Sequence, residues 1–152
     1  MQETCSKAGS FLEALFQGTG LNIGVSVSET EAECLLDLSG PDAGLLQAEG
    51  GELLQAVQHL VNQAFGRGLS DGQHLVCDVE GFRATREAEL RAMAKLAADR
   101  VRGGSGPFVF GEMNSSERRI IHLTLADCDD LYTESVGDGA ARKLRVALKP
   151  TK

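Results

Sequence analysis

The chain has 152 residues, 42% of them hydrophobic, which is enough for one ordinary domain or two very small ones and rules out a largely disordered polymer. No apolar run approaches the roughly 18 to 20 residues of a membrane span. The formal net charge of −7 excludes a uniformly basic nucleic-acid binder, but residues 1–70 hold nine Asp/Glu against two Lys/Arg while residues 71–152 hold thirteen of each. The cations are thus concentrated in the second half, where a local basic face can form on an acidic molecule.

In chain order, Phe11, Leu12, Leu15 and Phe16 predict a short amphipathic helix over 9–17, ended by Gly18 and Gly20. Ile23, Val25 and Val27 alternate with small residues as in a half-buried strand, and Cys34 to Leu38 predict its hairpin partner. Gly40-Pro41-Asp42 breaks the pair. One or two helical turns at Ala43 to Ala48 are interrupted by Gly50-Gly51. A helix with an apolar stripe at Leu53, Leu54, Val57, Leu60, Val61, Ala64 and Phe65 follows. His74 to Val79 is a third strand, which makes the order α-β-β-α-α-β. The longest helix spans Phe82 to Arg102, with Leu90, Met93, Leu96, Ala97 and Val101 as its buried stripe, and ends at Gly103-Gly104-Ser105-Gly106-Pro107. After a short strand at Phe108 to Phe110, Asn114 and Glu117 form a capping-box pattern for a helix to about Ala126. Strands near Leu131–Val136 and Arg142–Leu148 close the chain.

Cys5, Cys34, Cys77 and Cys128 include no Cys-x-x-Cys pair, and His59, His74 and His122 stand away from them. This composition implies no metal and no cofactor, and four reduced structural thiols in a cytoplasmic protein. Met1 to Thr4 lacks the basic start of a secretory signal. Asp127-Cys128-Asp129-Asp130 reads as an acidic loop with at most weak affinity for a divalent cation. No nucleophile elbow or phosphate loop of the Gly-x-x-x-x-Gly-Lys type occurs, so no enzyme is expected.

Several ordered strings resemble one family. In the first half these are Asp42-Ala43-Gly44-Leu45-Leu46, Leu54 to Asn62 and Asp78-Val79-Glu80-Gly81-Phe82-Arg83. In the second half they are Met113-Asn114, Glu117-Arg118-Arg119-Ile120-Ile121-His122-Leu123 and Thr133-x-Ser135-x-Gly137-x-Gly139-x-x-Arg142. Over roughly residues 10–149 the chain is similar to the C-terminal part of the bacterial Jag proteins (SpoIIIJ-associated, also called EloR). The resemblance implies an α+β protein: a type II KH-like domain over 1–80 packed against a small Arg-x-x-x-His domain over 81–152. It implies a regulator of post-transcriptional control or cell elongation that binds single-stranded RNA or DNA. It also implies a small single-KH protein as partner; a second copy of the chain is the partner expected if the first half mediates self-association.

A KH domain clamps about four nucleotides with a Gly-x-x-Gly loop whose middle residues are usually basic. Here the equivalent stretch is Ala48-Glu49-Gly50-Gly51: Ala48 replaces the first glycine, and Glu49 would face a phosphate with a repelling carboxylate. The loop is read as degenerate, either a weakened RNA groove or, preferred, a scaffold. The alternative for the whole chain is a protein–protein adaptor or dimerisation module.

Arg118 and His122 are one helical turn apart and share a face near the helix start, where they can donate to a phosphate or sugar. Protonation of His122 would strengthen binding. Arg142, Lys143, Arg119 and Asn114 are the further expected contacts. Strand alternation puts Arg142 opposite Lys143 and Arg145, and Arg83 and Arg86 could extend the surface. With no Trp and one Tyr, Tyr132, base stacking is scarce and binding should rest on phosphate contacts, sensitive to salt.

Overall fold

The structure is a computed structural model that describes residues 1–151. The chain divides into two compact units, Met1–Arg83 and Ala84–Lys152. Each contains one three-stranded sheet, and the fold is α+β throughout.

In unit 1, helix α1 spans Gln2–Thr19, well beyond the 9–17 read from periodicity, because Cys5, Ala8 and Gly9 continue the stripe of Leu12 and Phe16 onto the core. Gly9 lets it lie close to the sheet: a Cβ there would come within 2.8 Å of Val27. Strands β1 (Gly24–Glu29) and β2 (Glu33–Ser39) pair antiparallel, and β2 pairs parallel with β3 (His74–Asp78). The connection from β2 to β3 is α2 (Gly44–Phe65), broken at 48–51 by non-helical backbone. Counted as two helices, α2 restores the α-β-β-α-α-β order expected from sequence.

The core of unit 1 gathers Leu12, Phe16, Leu36, Leu38, Leu46, Leu54, Val61 and Val79. Three expectations need correction. Val27 is exposed on the edge strand, and Leu53 and Leu60 stay 43% and 41% exposed, because the buried line of α2 runs through Leu54, Val57 and Val61 only. Cys5 and Cys34 meet in the core with Cα atoms 6.0 Å apart, within reach of a disulfide, where composition implies four separate thiols; Cys77 and Cys128 are free. Burial pushes the Cys77 thiol up to about 11 against a small opposing effect of Arg83, as for an inert core thiol.

Helix α3 spans Phe82–Arg102. Its buried line in unit 2 is Leu90, Ala94, Ala97, Ala98 and Val101, whereas Met93 and Leu96 are 37% and 57% exposed. The stripe is thus rotated from the expected one towards the alanines, which allow close packing. Strands β4 (Phe108–Val109), β5 (Leu131–Val136) and β6 (Lys143–Leu148) form an antiparallel sheet in the order β4-β6-β5, leaving β5 at an edge. Helix α4 (Ser115–Leu125) buries Glu117, Ile121 and Leu125, spaced four apart. No helix among the described residues is long and apolar enough to cross a membrane.

Candidate nucleic-acid interface

The geometry of α4 follows from its buried line. With positions 117, 121 and 125 inward, positions 118 and 122 lie about 100° around the helix and emerge at its rim. Asn114 caps this helix, its side-chain oxygen accepting from Glu117 N–H at 2.9 Å. Only half of the expected capping box forms. The Glu117 carboxylate, 5% exposed, accepts instead from Arg86 Nε at 2.8 Å, and Arg86 also bridges to Glu89 at 3.2 Å. Arg86 therefore does not extend a binding surface as expected; it pins the first turn of α4 to α3. Arg83 is likewise occupied inside unit 1, donating to the Cys77 carbonyl at 2.7 Å.

Arg118 is partly buried and donates through Nη1 to the Met113 carbonyl at 2.6 Å and to the Arg142 carbonyl at 3.3 Å. One guanidinium nitrogen thus ties the chain before α4 to the chain before β6, and Nε and Nη2 remain as donors. His122 lies in the last turn of α4, not near its start, so only Arg118 benefits from the positive helix N-terminus. The ring is set by a 2.5 Å hydrogen bond between Nδ1 and Thr133 Oγ1, which leaves Nε2 for a ligand. Thr133 and Ser135 alternate with the exposed Glu134 along β5 and share the face of buried Leu131, and so turn their hydroxyls towards α4.

These parts bound an open groove of about 690 Å³ lined by Ser115, Ser116, Arg118, Arg119, His122, Thr133, Glu134, Ser135, Arg142 and Leu144. Four of the residues expected from sequence, Arg118, Arg119, His122 and Arg142, are brought together. Asn114 serves as the helix cap; its Nδ2 is buried without a partner among the described residues. Lys143 does not line the groove. Arg145 is held by Glu134 at 2.7 Å and by the Tyr132 hydroxyl at 3.0 Å. Sequence reasoning misses the four hydroxyls of the groove as contacts, although the alternation beginning at Leu131 is the signal for two of them.

Elsewhere in unit 2 the acidic loop is committed. Asp130 receives a two-pronged bond from Arg102 at 2.7 and 2.8 Å, and this guanidinium holds its carboxyl below the usual range.

Residues 88–148 match the family of Arg-x-x-x-His (R-3-H) domains. The match begins inside α3 and includes the whole groove. Over 145 residues the chain is 33% identical to the RNA-binding protein KhpB of Clostridium symbiosum, covering 94% of this chain and 65% of that protein. It is 28% identical over 145 residues to the RNA-binding protein KhpB of Bacillus subtilis, covering 94% and 70%. Against the protein of the same name from Lactiplantibacillus plantarum it is 26% identical over 139 residues, covering 91% and 43%. The chain spans less than two thirds of the first relative's length and less than half of the third's.

Proposed function

We propose that the groove of unit 2 binds single-stranded RNA, and single-stranded DNA more weakly, without turnover. The observation that carries this reading is the convergence of Arg118, Arg119, Arg142 and His122 in one groove on a chain whose net charge is −7. Phosphate affinity depends on such a local cluster rather than on the total.

Each residue has a distinct part. Arg118, already oriented by two carbonyls, offers its remaining N–H groups to a phosphate with little rotamer entropy left to lose. His122 offers Nε2; when the Thr133 hydroxyl donates to Nδ1, the ring proton resides on Nε2 and the neutral imidazole is already a donor. Arg119 and Arg142 add charge, and the groove's hydroxyls suit ribose 2′-OH groups, the chemistry that separates RNA from DNA. The name carried by the relatives, RNA-binding protein, supports RNA as the ligand.

In this reading the site belongs to an Arg-x-x-x-His domain over 81–152, preceded by a KH-like domain over 1–80 with a degenerate loop, in a cytoplasmic protein. Occupancy of the RNA, rather than its cleavage, would be the regulatory act.

Polarisation measurements with a labelled 12-nucleotide RNA, the matching DNA and a duplex, across salt, test the reading. The single-stranded RNA is expected to bind most tightly, with a log–log salt slope near −2 for three guanidinium contacts at about 0.7 per contact. Unchanged binding in both Arg118→Ala and His122→Ala would remove the site.

A further inference from the structure

The break in α2 carries a surface that RNA binding does not use. Residues 49, 50 and 51 take left-handed backbone in succession, with φ of 52°, 68° and 83°. This turn sets Glu49 beside Glu52, which opens the second helical segment. The hydrogen bond with Glu49 and the repulsion from it push the Glu52 carboxyl up. Next to the two acids is a groove of about 380 Å³ lined by Leu45, Ala48, Glu49, Glu52, Leu53 and Ala56. Leu45 is 52% exposed, Leu53 43% and Leu60 41%. Leu53, Ala56 and Leu60 are spaced by three and four residues, so they form one apolar stripe leading away from the acids along the helix.

The chemistry of this surface selects among occupants. A nucleic-acid strand would bring phosphates to a pair of carboxylates in a groove whose lining includes no Lys or Arg, which is repulsive. A second copy docked about a two-fold axis would lay the same patch on itself, and both acid pairs would be brought into one interface. A partner carrying positive charge next to apolar side chains meets neither objection: it relieves the mutual repulsion of the acids and removes the leucines from water.

We propose that this surface docks a short protein segment that is both cationic and apolar. An arginine or lysine is placed against Glu49 and Glu52, and a large apolar side chain next to it covers Leu45 and Leu53. Ala56 and Leu60 extend the contact along the helix.

A displayed library of random 12-residue peptides, selected on the full chain and counter-selected on the Glu49→Lys/Glu52→Lys variant, tests this directly. Enriched peptides are expected to combine Arg or Lys with Leu, Ile or Phe. Synthesised and measured by polarisation, they should bind the double variant and Leu53→Ser at least 10-fold more weakly, and Arg118→Ala as tightly as the parent. Circular dichroism of each variant checks that the fold is kept. Enrichment without that pairing of charge and apolar residues, or equal affinity for the double variant, overturns the proposal. So does a dimer in sedimentation that Leu53→Ser dissolves, which assigns the surface to a second copy. Cross-linking of single-stranded RNA to the loop at Glu49 would overturn it in favour of nucleic acid.

Discussion

The loop at 48–51 in unit 1 and the groove between α4 and β5 in unit 2 are the two places where the resemblance puts nucleic acid, and their construction is opposite. The loop presents Glu49 on left-handed backbone, with Glu52 and the exposed Leu45 and Leu53 on the helical turns beside it. The groove presents three guanidinium groups and an imidazole, two of the four already oriented by the protein itself. In the loop, Gly51 is buried against Phe82, but Glu49 is exposed and its charge can change without disturbing a core. A groove whose arginine also holds two strands of chain together cannot lose that arginine without losing shape. The contrast teaches that the cationic groups of the groove are oriented by structural contacts, as the proposed phosphate contacts require.

The sharpest way to break the comparison is to loosen the groove without touching it. Arg86→Ala leaves the Glu117 carboxylate, 5% exposed, without its partner. Loss of one member of a buried pair costs about 3–5 kcal/mol, an upper range here because Arg86 keeps 28% of its side chain in water. Urea denaturation should show this loss, and Glu117→Gln, which removes the stranded charge, should cost less. RNA affinity should fall in Arg86→Ala while the salt slope stays that of the parent, because no phosphate contact has been removed. A slope reduced by about 0.7 would make Arg86 a direct contact instead.

Next in size is Arg118→Lys. The lysine keeps the charge, but an ammonium that takes over the Met113 and Arg142 carbonyls from Nη1 has no counterpart of Nε and Nη2 left for a phosphate. Each hydrogen bond made by a charged group contributes about 1.5–3 kcal/mol, so affinity should drop by roughly 10- to 100-fold. If Lys restores the affinity lost in Arg118→Ala, the dual role is wrong and only charge matters.

How far the sequence reveals this contrast depends on the distance over which each feature is encoded. Arg118 and His122 fall on one face by spacing alone, and Glu49 announces itself as the wrong charge in a glycine loop. The limits of α3 are written locally, in Phe82 after Gly81 and in Gly103-Gly104. What spacing cannot supply is long-range: Arg86 and Glu117 are 31 positions apart, and the Arg142 carbonyl is 24 from Arg118. The buried line of α3 misleads for another reason. Periodicity favours Met93 and Leu96 by size, but a helix that packs closely buries Ala94 and Ala98 and leaves the larger side chains outside. The same preference for size misplaces Leu53 and Leu60, and their exposure is what makes the surface on α2.

A smaller effect is expected at His122. Thr133→Val removes the hydrogen bond that orients the ring, and the freed imidazole must be ordered by the ligand. A loss of about 0.5–1.5 kcal/mol, roughly 2- to 10-fold in RNA affinity, should follow. It should be absent when the same change is made in a His122→Ala background. A cycle in which the two losses simply add would show that Thr133 acts on the RNA and not through the ring.

The smallest effect tests the loop, and its sign is the point. Glu49 is one of two non-glycine residues with positive φ among those described, a conformation that costs a residue with a Cβ about 1 kcal/mol and glycine almost nothing. Glu49→Gly should therefore raise stability by up to about 1 kcal/mol, visible as a later urea midpoint with an unchanged slope. Gly51→Ala should do the reverse, because its φ is 83° and the added Cβ would approach the Phe82 ring at 2.7 Å. A loop kept only as scaffold has no reason to retain the strained acid at 49 when glycine there is more stable. Local strain of this kind persists where a function uses it. If Glu49→Gly is instead destabilising, the carboxylate is a structural part of unit 1, and the two regions differ less than their charges imply.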